Sequence, residues 1–519
     1  MTMTQTIYSN VVIYNGIDTE PFKANVCCQD GLIGKITPNI KEIKTNKNTK
    51  IIKGGNLILS PGFIDVHTHS DATNLENFTP IGKFAQGITT EIMGNCGLSP
   101  FPVTEHNFEN LTKVYQKYPV LSELLKNSNE NFSYTNYKIN KFSIPSFSLV
   151  GYNSLRAAVS GYKQKELSSR QINLMIKLLR RELKAGAIGL SAGFLYSPGI
   201  FSSKEEIIKV LEGVNDYNII FCCHLRSEGD SICKSITEMI KICKEAKIQK
   251  LHLSHLKIAK KQNWHKIDKV FELINNCKTP KITFDRYPYT ESLSSLSLTL
   301  PQKFSSMPDA EIHTYLQNEI NFHNTLEEVK KYQHNYFDKI ILVSTPSKKY
   351  SNFSGFTINE IADQSQKTIS PAEILLNILK SDCVSTLGAF CNGMNPKNMH
   401  KIITDSRCCC GTDEINRPLN YTFGRSHPRG FNSFPKFASI LHQNNYQIGE
   451  IIRRFTFQSV KLFNLEKYKI GAIKEGYKAN LILINFDEYI NNNDNATFKE
   501  PHKLANGVKG CWINGTQVF

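Results

Sequence analysis

Apolar positions along the chain follow two rhythms. Near both ends they form short alternating or continuous runs cut by tight-turn pairs. Residues 11–14 and 32–36 read as strands, with Asn15-Gly16 and Asp30-Gly31 as turns. Residues 481–484, 511–513 and 516–519 repeat the pattern, with Asn514-Gly515 as a hairpin turn. The two ends together predict one small β-sandwich domain, residues 1–60 and 460–519.

Between the ends, apolar strand-like runs alternate with amphipathic helices, the pattern of a parallel sheet. Residues 171–183 carry apolar side chains at 172, 175, 176, 179 and 183, one helical stripe, and Gly186 stops it before the run 187–191. Ser202 and Ser203 precede Glu205 and Glu206 by three residues and offer a capping box to the next helix, through Val210 and Val214. Such units over residues 61–459 predict an α/β fold, a (β/α)₈ TIM-like barrel. The absence of a glycine-rich dinucleotide or phosphate loop argues against a doubly wound sheet. The segment 290–340, rich in serine and then helix-forming, is expected to be an insert that caps the barrel mouth.

Composition narrows the function. Of 519 residues, 40% are apolar and 21% charged, an ordinary globular balance that excludes a disordered or fibrous chain. The formal charge of +16 would suit an anionic partner, yet the lysines are scattered from Lys23 to Lys509 without long runs or interleaved aromatics. No nucleic acid is expected. No apolar run approaches the roughly 18 residues needed to span a bilayer, and the first ten residues carry no basic region followed by an apolar core. No membrane partner and a cytoplasmic location are expected. Fourteen cysteines, some adjacent, fit reduced thiols better than a disulfide framework. Oligomeric state is left open.

The chemistry sits at strand ends. The stretch Pro61-Gly62-Phe63-Ile64-Asp65-Val66-His67-Thr68-His69-Ser70-Asp71 is an apolar strand ending in two histidines two residues apart. Residues i and i+2 of a strand share a side, so His67 and His69 can grip one ion. Downstream, strand-like runs end in Cys96, His224, His255 and Asp413. In a parallel barrel those ends converge on one face, where active sites of this fold lie. Thiolate, imidazole and carboxylate are the zinc ligand set, and a catalytic zinc keeps a position open for water. Asp413 could take that water's proton and pass it to a leaving amine, which predicts hydrolysis of a polar C–N bond.

The stretch PGFIDVHTHSD resembles the first metal motif of the amidohydrolase superfamily. GITTEIMGNCGLSPFP, GAIGLSAGFLYSPG, HLRSEGD, HLSHLK, DRYPYT and HPRGFNSFPK, in order from about residue 60 to 440, resemble the N-acyl-D-amino-acid deacylase (D-aminoacylase) family. The cysteine of the Asn-Cys-Gly block stands where most amidohydrolases place a carboxylated lysine. The resemblance implies zinc-dependent hydrolysis of N-acyl-D-amino acids, by attack of metal-bound hydroxide on the amide carbonyl with Asp413 as acid/base. It implies that Cys96, His224 and His255 hold a tightly bound zinc, and that His67, His69 and Asp413 surround a second, weaker position. It further implies that Lys257, Tyr287 or Tyr289, and Arg429 hold the substrate carboxylate, a task suited to charge-assisted donors. The chain departs from the family pattern at Tyr152, where a histidine is more common, at Glu414 after Asp413, and in a lengthened stretch 411–427. Two alternatives compete: cyclic-amide (hydantoin- or dihydropyrimidine-like) hydrolysis on the same centre, and a non-catalytic binding protein of the same fold.

Overall fold

A computed structural model describes residues 5–128, 130–162, 166–305, 307–333, 336–365, 369–491 and 495–519. The chain runs through β1 (Gln5–Ile13), β2 (Phe22–Gln29), β3 (Leu32–Thr37), β4 (Thr49–Lys53) and β5 (Ile58–Pro61). It continues with β6 (Phe63–Asp65), β7 (Ile88–Met93), β8 (Ser146–Ser148), β9 (Val150–Gly151), β10 (Gly189–Gly193), β11 (Ile220–His224), β12 (Lys250–Leu253) and β13 (Lys281–Arg286). Then come β14 (Ser292–Ser295), β15 (Ile340–Ser344), β16 (Leu387–Phe390), β17 (Cys408–Cys410), β18 (Leu481–Ile484), β19 (Val508–Ile513) and β20 (Thr516–Gln517). The fold is mixed α/β.

Strands from both ends of the chain lie in one eight-stranded sheet, ordered β20-β19-β18-β5-β1-β2-β3 with β4 beside β1. Its apolar face packs Tyr8, Val11, Ile13, Leu59, Leu481 and Trp512 together, and the rings of Tyr8 and Trp512 meet edge-on at 5.0 Å. The β5–β18 pairing, Ile58 against Ile484 through Pro61 against Leu481, joins the two ends.

Two sheets are wholly parallel, β17-β13-β12-β11-β10-β9 and β6-β7-β8. Strands such as β7 and β11 are buried along their whole length, on both faces, as parallel strands covered by helices must be. The sheets touch at both borders. Leu149 donates to the carbonyl of Met93 at 2.9 Å, and a parallel bridge pairs Thr68 with Glu414.

The helix Ser169–Lys184 follows from its sequence. Ser168 accepts from the backbone of Gln171 and receives the reciprocal contact, a complete capping box, and Ile172, Met175, Leu178, Leu179 and Leu183 face the core. Burying each such side chain stabilises by about 1.5–3 kcal/mol. The next helix, Lys204–Glu212, has Ser203 as its N-cap, accepting from Glu206, and ends before Val214.

The third small sheet, β14-β16-β15, is antiparallel. It begins within the segment 290–340 and takes in β16, far beyond it. The helices between pack on a separate apolar core that includes Leu296, Phe304, Leu316, Leu342, Leu375 and Leu379. Among the described residues no helix is long and apolar enough to cross a membrane.

Candidate metal centre

Each parallel strand named above hands its chain to a loop at the same end, and the chemistry lies in those loops. His67 and His69 follow β6, Cys96 follows β7, His224 closes β11, His255 follows β12 and Asp413 follows β17. The structure brings all six together. Sγ of Cys96 lies 3.4 Å from Nε2 of His67 and 3.4 Å from Nε2 of His255. Oδ1 of Asp413 is 3.1 Å from Nε2 of His69 and 3.4 Å from Nε2 of His67. The rings of His224 and His255 are 4.5 Å apart.

Among the described residues three sets of donor atoms converge closely enough for a metal: His67, Cys96 and His255; His67, His69 and Asp413; His224, Glu228 and His255. The first set is wholly buried. Among the described residues neither ring nitrogen of His224 has a hydrogen-bond partner of normal geometry, although the residue is only 4% exposed. An imidazole buried without partners costs free energy unless something else takes its lone pair. Thiolate, imidazoles and carboxylate around that orphaned ring fit zinc.

The backbone is held out of its ordinary wells at the same places. Cys96, His255 and Asp413 have φ of 53°, 35° and 51°. Each left-handed residue of this kind costs roughly 1–3 kcal/mol and persists where its surroundings over-determine it. Gly97, at φ 79°, follows Cys96 where a Cβ would lie 2.1 Å from Oδ1 of Asn153, so only glycine can turn the chain there.

Burial pushes the Cys96 thiol up, but His67 and His255 outweigh it and hold the thiol well below its ordinary range. Burial likewise raises Asp413, while Arg429, His255 and His67 outweigh it and keep the carboxylate ionised.

The remaining expected residues surround this cluster. Nη1 of Arg429 lies 2.9 Å from Oδ2 of Asp413, and its Nη2 donates to the carbonyl of the same residue. Nζ of Lys257 is 2.5 Å from Oε1 of Glu228 and 2.8 Å from Nδ1 of His255. Both cations expected to meet a substrate carboxylate therefore already hold a carboxylate of the protein. Tyr287 is fully buried between two guanidiniums, with Cζ of Arg286 4.2 Å and Cζ of Arg429 4.5 Å from its ring centre. Among the described residues its hydroxyl has no hydrogen-bond partner of normal geometry. Burial raises this phenol, yet Lys257, Arg286 and Arg429 outweigh burial and lower it. Tyr289 lies beside His427, ring centres 5.3 Å apart, under Nζ of Lys436. Tyr152, the departure noted in the sequence, donates to Glu206 at 2.6 Å, and Glu206 also pairs with buried Arg156. It takes no part in the cluster.

Sequence reasoning passed over Glu228, Asp285 and Arg286, although all three stand inside motifs already singled out, four residues after His224 and one or two before Tyr287. Arg286 is 1% exposed and pairs with no carboxylate among the described residues. Its Nη2 donates to the carbonyl of Tyr289 at 2.6 Å, while Nε and Nη1 have no partner.

No family model matches the chain. A curated relative, the D-aminoacylase of Alcaligenes xylosoxydans xylosoxydans, is 24% identical over 485 residues, covering 89% of this chain and 84% of the relative. The crystal structure of the N-acyl-D-glutamate deacylase of Bordetella bronchiseptica, complexed with zinc and a phosphonate inhibitor, superposes with a TM-score of 0.78 at 21% identity. That superposition covers 99% of this chain and 96% of the other. Over most of its length the chain is similar to proteins of the D-aminoacylase family of amidohydrolases. Likeness falls off outside that family. The dihydropyrimidinase of Brevibacillus agri covers the same share of this chain, 99%, and 95% of its own, but with a TM-score of 0.54 and 11% identity.

Proposed function

We propose that the chain is a zinc-dependent hydrolase that splits N-acyl-D-amino acids into a D-amino acid and a carboxylate. The D configuration and the acyl-amide class are carried by the D-aminoacylase and the N-acyl-D-glutamate deacylase that it resembles. The observation that carries the reading in this chain is the placement of the Cys-His-Asp cluster against three buried cations. Lys257 and Arg429 are balanced by Glu228 and Asp413, which leaves the charge of Arg286 for an incoming anion.

In this reading Cys96, His224 and His255 hold one zinc, and His67, His69 and Asp413 surround a second, weaker position. Zinc held by Cys96, His224 and His255 would act as a Lewis acid and make hydroxide available near neutral pH. Asp413 receives the proton released on attack and returns it to the departing nitrogen. Arg429 keeps Asp413 ionised and fixes its orientation. The Tyr287 hydroxyl, beside Arg429, is the first donor available to the substrate carboxylate, with Lys257 and Tyr289 around it.

We read β6, β7, β8 with β9, β10, β11, β12, β13 and β17 as the eight strands of a (β/α)₈ barrel over residues 61–459. The bridge between Thr68 and Glu414 and the bond from Leu149 to Met93 support closure. Residues 1–60 and 460–519 then form the small β domain. The unit containing β14 to β16 reaches the loop after Asp413, where Arg425 donates its backbone N–H to Ser344 at 3.3 Å, and so stands over the mouth.

The test is amine release from N-acetyl D- and L-amino acids with acidic, apolar and basic side chains, and from hydantoins, by zinc-loaded protein. Release from D-amides alone is expected. Ring opening without amide cleavage would transfer the reading to cyclic amides, and no turnover of any member would remove it. Arg286→Met is expected to raise KM for these anionic substrates about tenfold, in line with the ~1.5–3 kcal/mol carried by a charged hydrogen bond, with a smaller change in kcat. An unchanged KM would take Arg286 out of carboxylate recognition.

A further inference from the structure

Behind the cluster three buried side chains meet at one oxygen. Oδ2 of Asp285 lies 3.0 Å from Nδ1 of His67 and 3.0 Å from Nε2 of His252. Nδ1 of His252 is in turn 2.9 Å from Oγ1 of Thr283. The strands dictate the arrangement. Thr283 and Asp285 are two apart on β13 and share a side, and His252 on β12 is in register with Thr283. The His252 ring therefore spans from the hydroxyl to the carboxylate, while His67 reaches the same oxygen from beyond β6. Gly411 closes the group from the far side. A Cβ there would lie 2.5 Å from Cβ of His67 and 3.0 Å from Oδ1 of Asp285, so no other residue leaves room for the pair.

A carboxylate only accepts hydrogen bonds, so both imidazoles must donate to Oδ2. His67 then carries its hydrogen on Nδ1, and the lone pair of Nε2 faces Cys96 and Asp413. His252 donates from Nε2 and accepts the Thr283 hydroxyl at Nδ1. We infer that Asp285, itself held in place by His252, is a positioning residue that presents His67 to the second metal position in a single tautomer and so sets the affinity of that position. The inference rests on the metal centre proposed above. An outer carboxylate behind a ligating imidazole raises its basicity and fixes its ring, and its removal costs metal affinity.

The test reads zinc affinity of the full-length protein by competition with a chromophoric chelator, together with the absorption spectrum of the cobalt(II)-substituted protein. Neither depends on turnover. Asp285→Asn removes the negative charge that makes the His67 ring more basic and puts an N–H₂ donor in place of the second oxygen, so the affinity of the zinc position that His67 lines is expected to fall about 10- to 100-fold with a shifted cobalt band. His252→Gln keeps an N–H toward Asp285 and is expected within about threefold of the wild type, whereas His252→Leu is expected to lose about tenfold. Unchanged zinc affinity in a folded Asp285→Asn protein would overturn the inference. Equal losses in His252→Gln and His252→Leu would do the same, because the shape at 252 and not its N–H would then matter. Should Asp285→Asn fail to fold, the His252 pair decides alone. A wild-type protein that bound no zinc would instead bring down the metal centre itself, and this inference with it.

Discussion

Asp413→Asn is expected to keep its zinc and to lose turnover by about 100- to 10,000-fold, the range that a positioned acid/base contributes. The amide matches the carboxylate in shape and can still meet Nε2 of His69, now at 3.1 Å from Oδ1. It cannot take a proton. The Cys96 thiol lies against His67 and His255, not against the Asp413 carboxylate, so the donor set that would hold the first zinc survives the change. Cys96→Ala makes the contrast. It removes the one soft ligand from the buried set and is expected to lose zinc and turnover together. Zinc content by elemental analysis, read beside steady-state rates, separates the two. Normal turnover in Asp413→Asn would pass the proton transfer to another group.

Lys83→Met is expected to cost about 3–5 kcal/mol of stability, the range for breaking a buried ion pair from one side. Nζ of Lys83, 2% exposed, lies 2.8 Å from Oδ2 of Asp65, 3.1 Å from Oε1 of Glu91 and 2.9 Å from Oγ1 of Thr412. Asp65 in turn accepts from the backbone of Thr412 at 2.9 Å and of His67 at 3.3 Å. The ammonium thus holds two carboxylates and, through them, the loops that carry His67 and Asp413. Burial lowers Lys83, but Asp65 and Glu91 outweigh it and raise it, so the cation is present at any physiological pH. Methionine fills the volume and leaves both carboxylates facing each other without water. With roughly 2.1 cal/mol/K of unfolding entropy per residue, the apparent Tm of a chain melting as one unit falls by about 3–5 °C. Adding Glu91→Gln should return part of that loss by removing one stranded charge. Thermal melts of the two proteins check it, and a Tm of Lys83→Met equal to the wild type would show that the site is wet.

What the sequence disclosed and what it kept back divide along a physical line. The helix Ser169–Lys184 was readable because its stripe and its serine cap are local, and the ligands because each follows an apolar strand at short range. Glu228, Asp285 and Lys83 were not. Asp285 meets His67 across 218 residues, and Lys83 meets Thr412 across 329, so the residues beside them do not show which partner each one has. Arg286 escaped notice for a different reason. Its meaning comes from a partner it lacks, and a missing partner leaves no pattern in the chain. The span of the antiparallel unit was also hidden, because β14 pairs with β16 across a helical stretch that reads as an independent segment.

The pairing of β5 with β18 imposes an order on assembly in the cell. β1 to β5 leave the ribosome about 400 residues before β18, and until β18 emerges the free edge of β5 has no neighbour. An open, apolar edge that must wait invites pairing with other chains. Such non-local closure is also the slow kind, because loop entropy is spent before the contact forms. Since β5 runs straight into β6 and its two histidines, the first part of the metal centre to be synthesised is anchored to the sheet that is completed last.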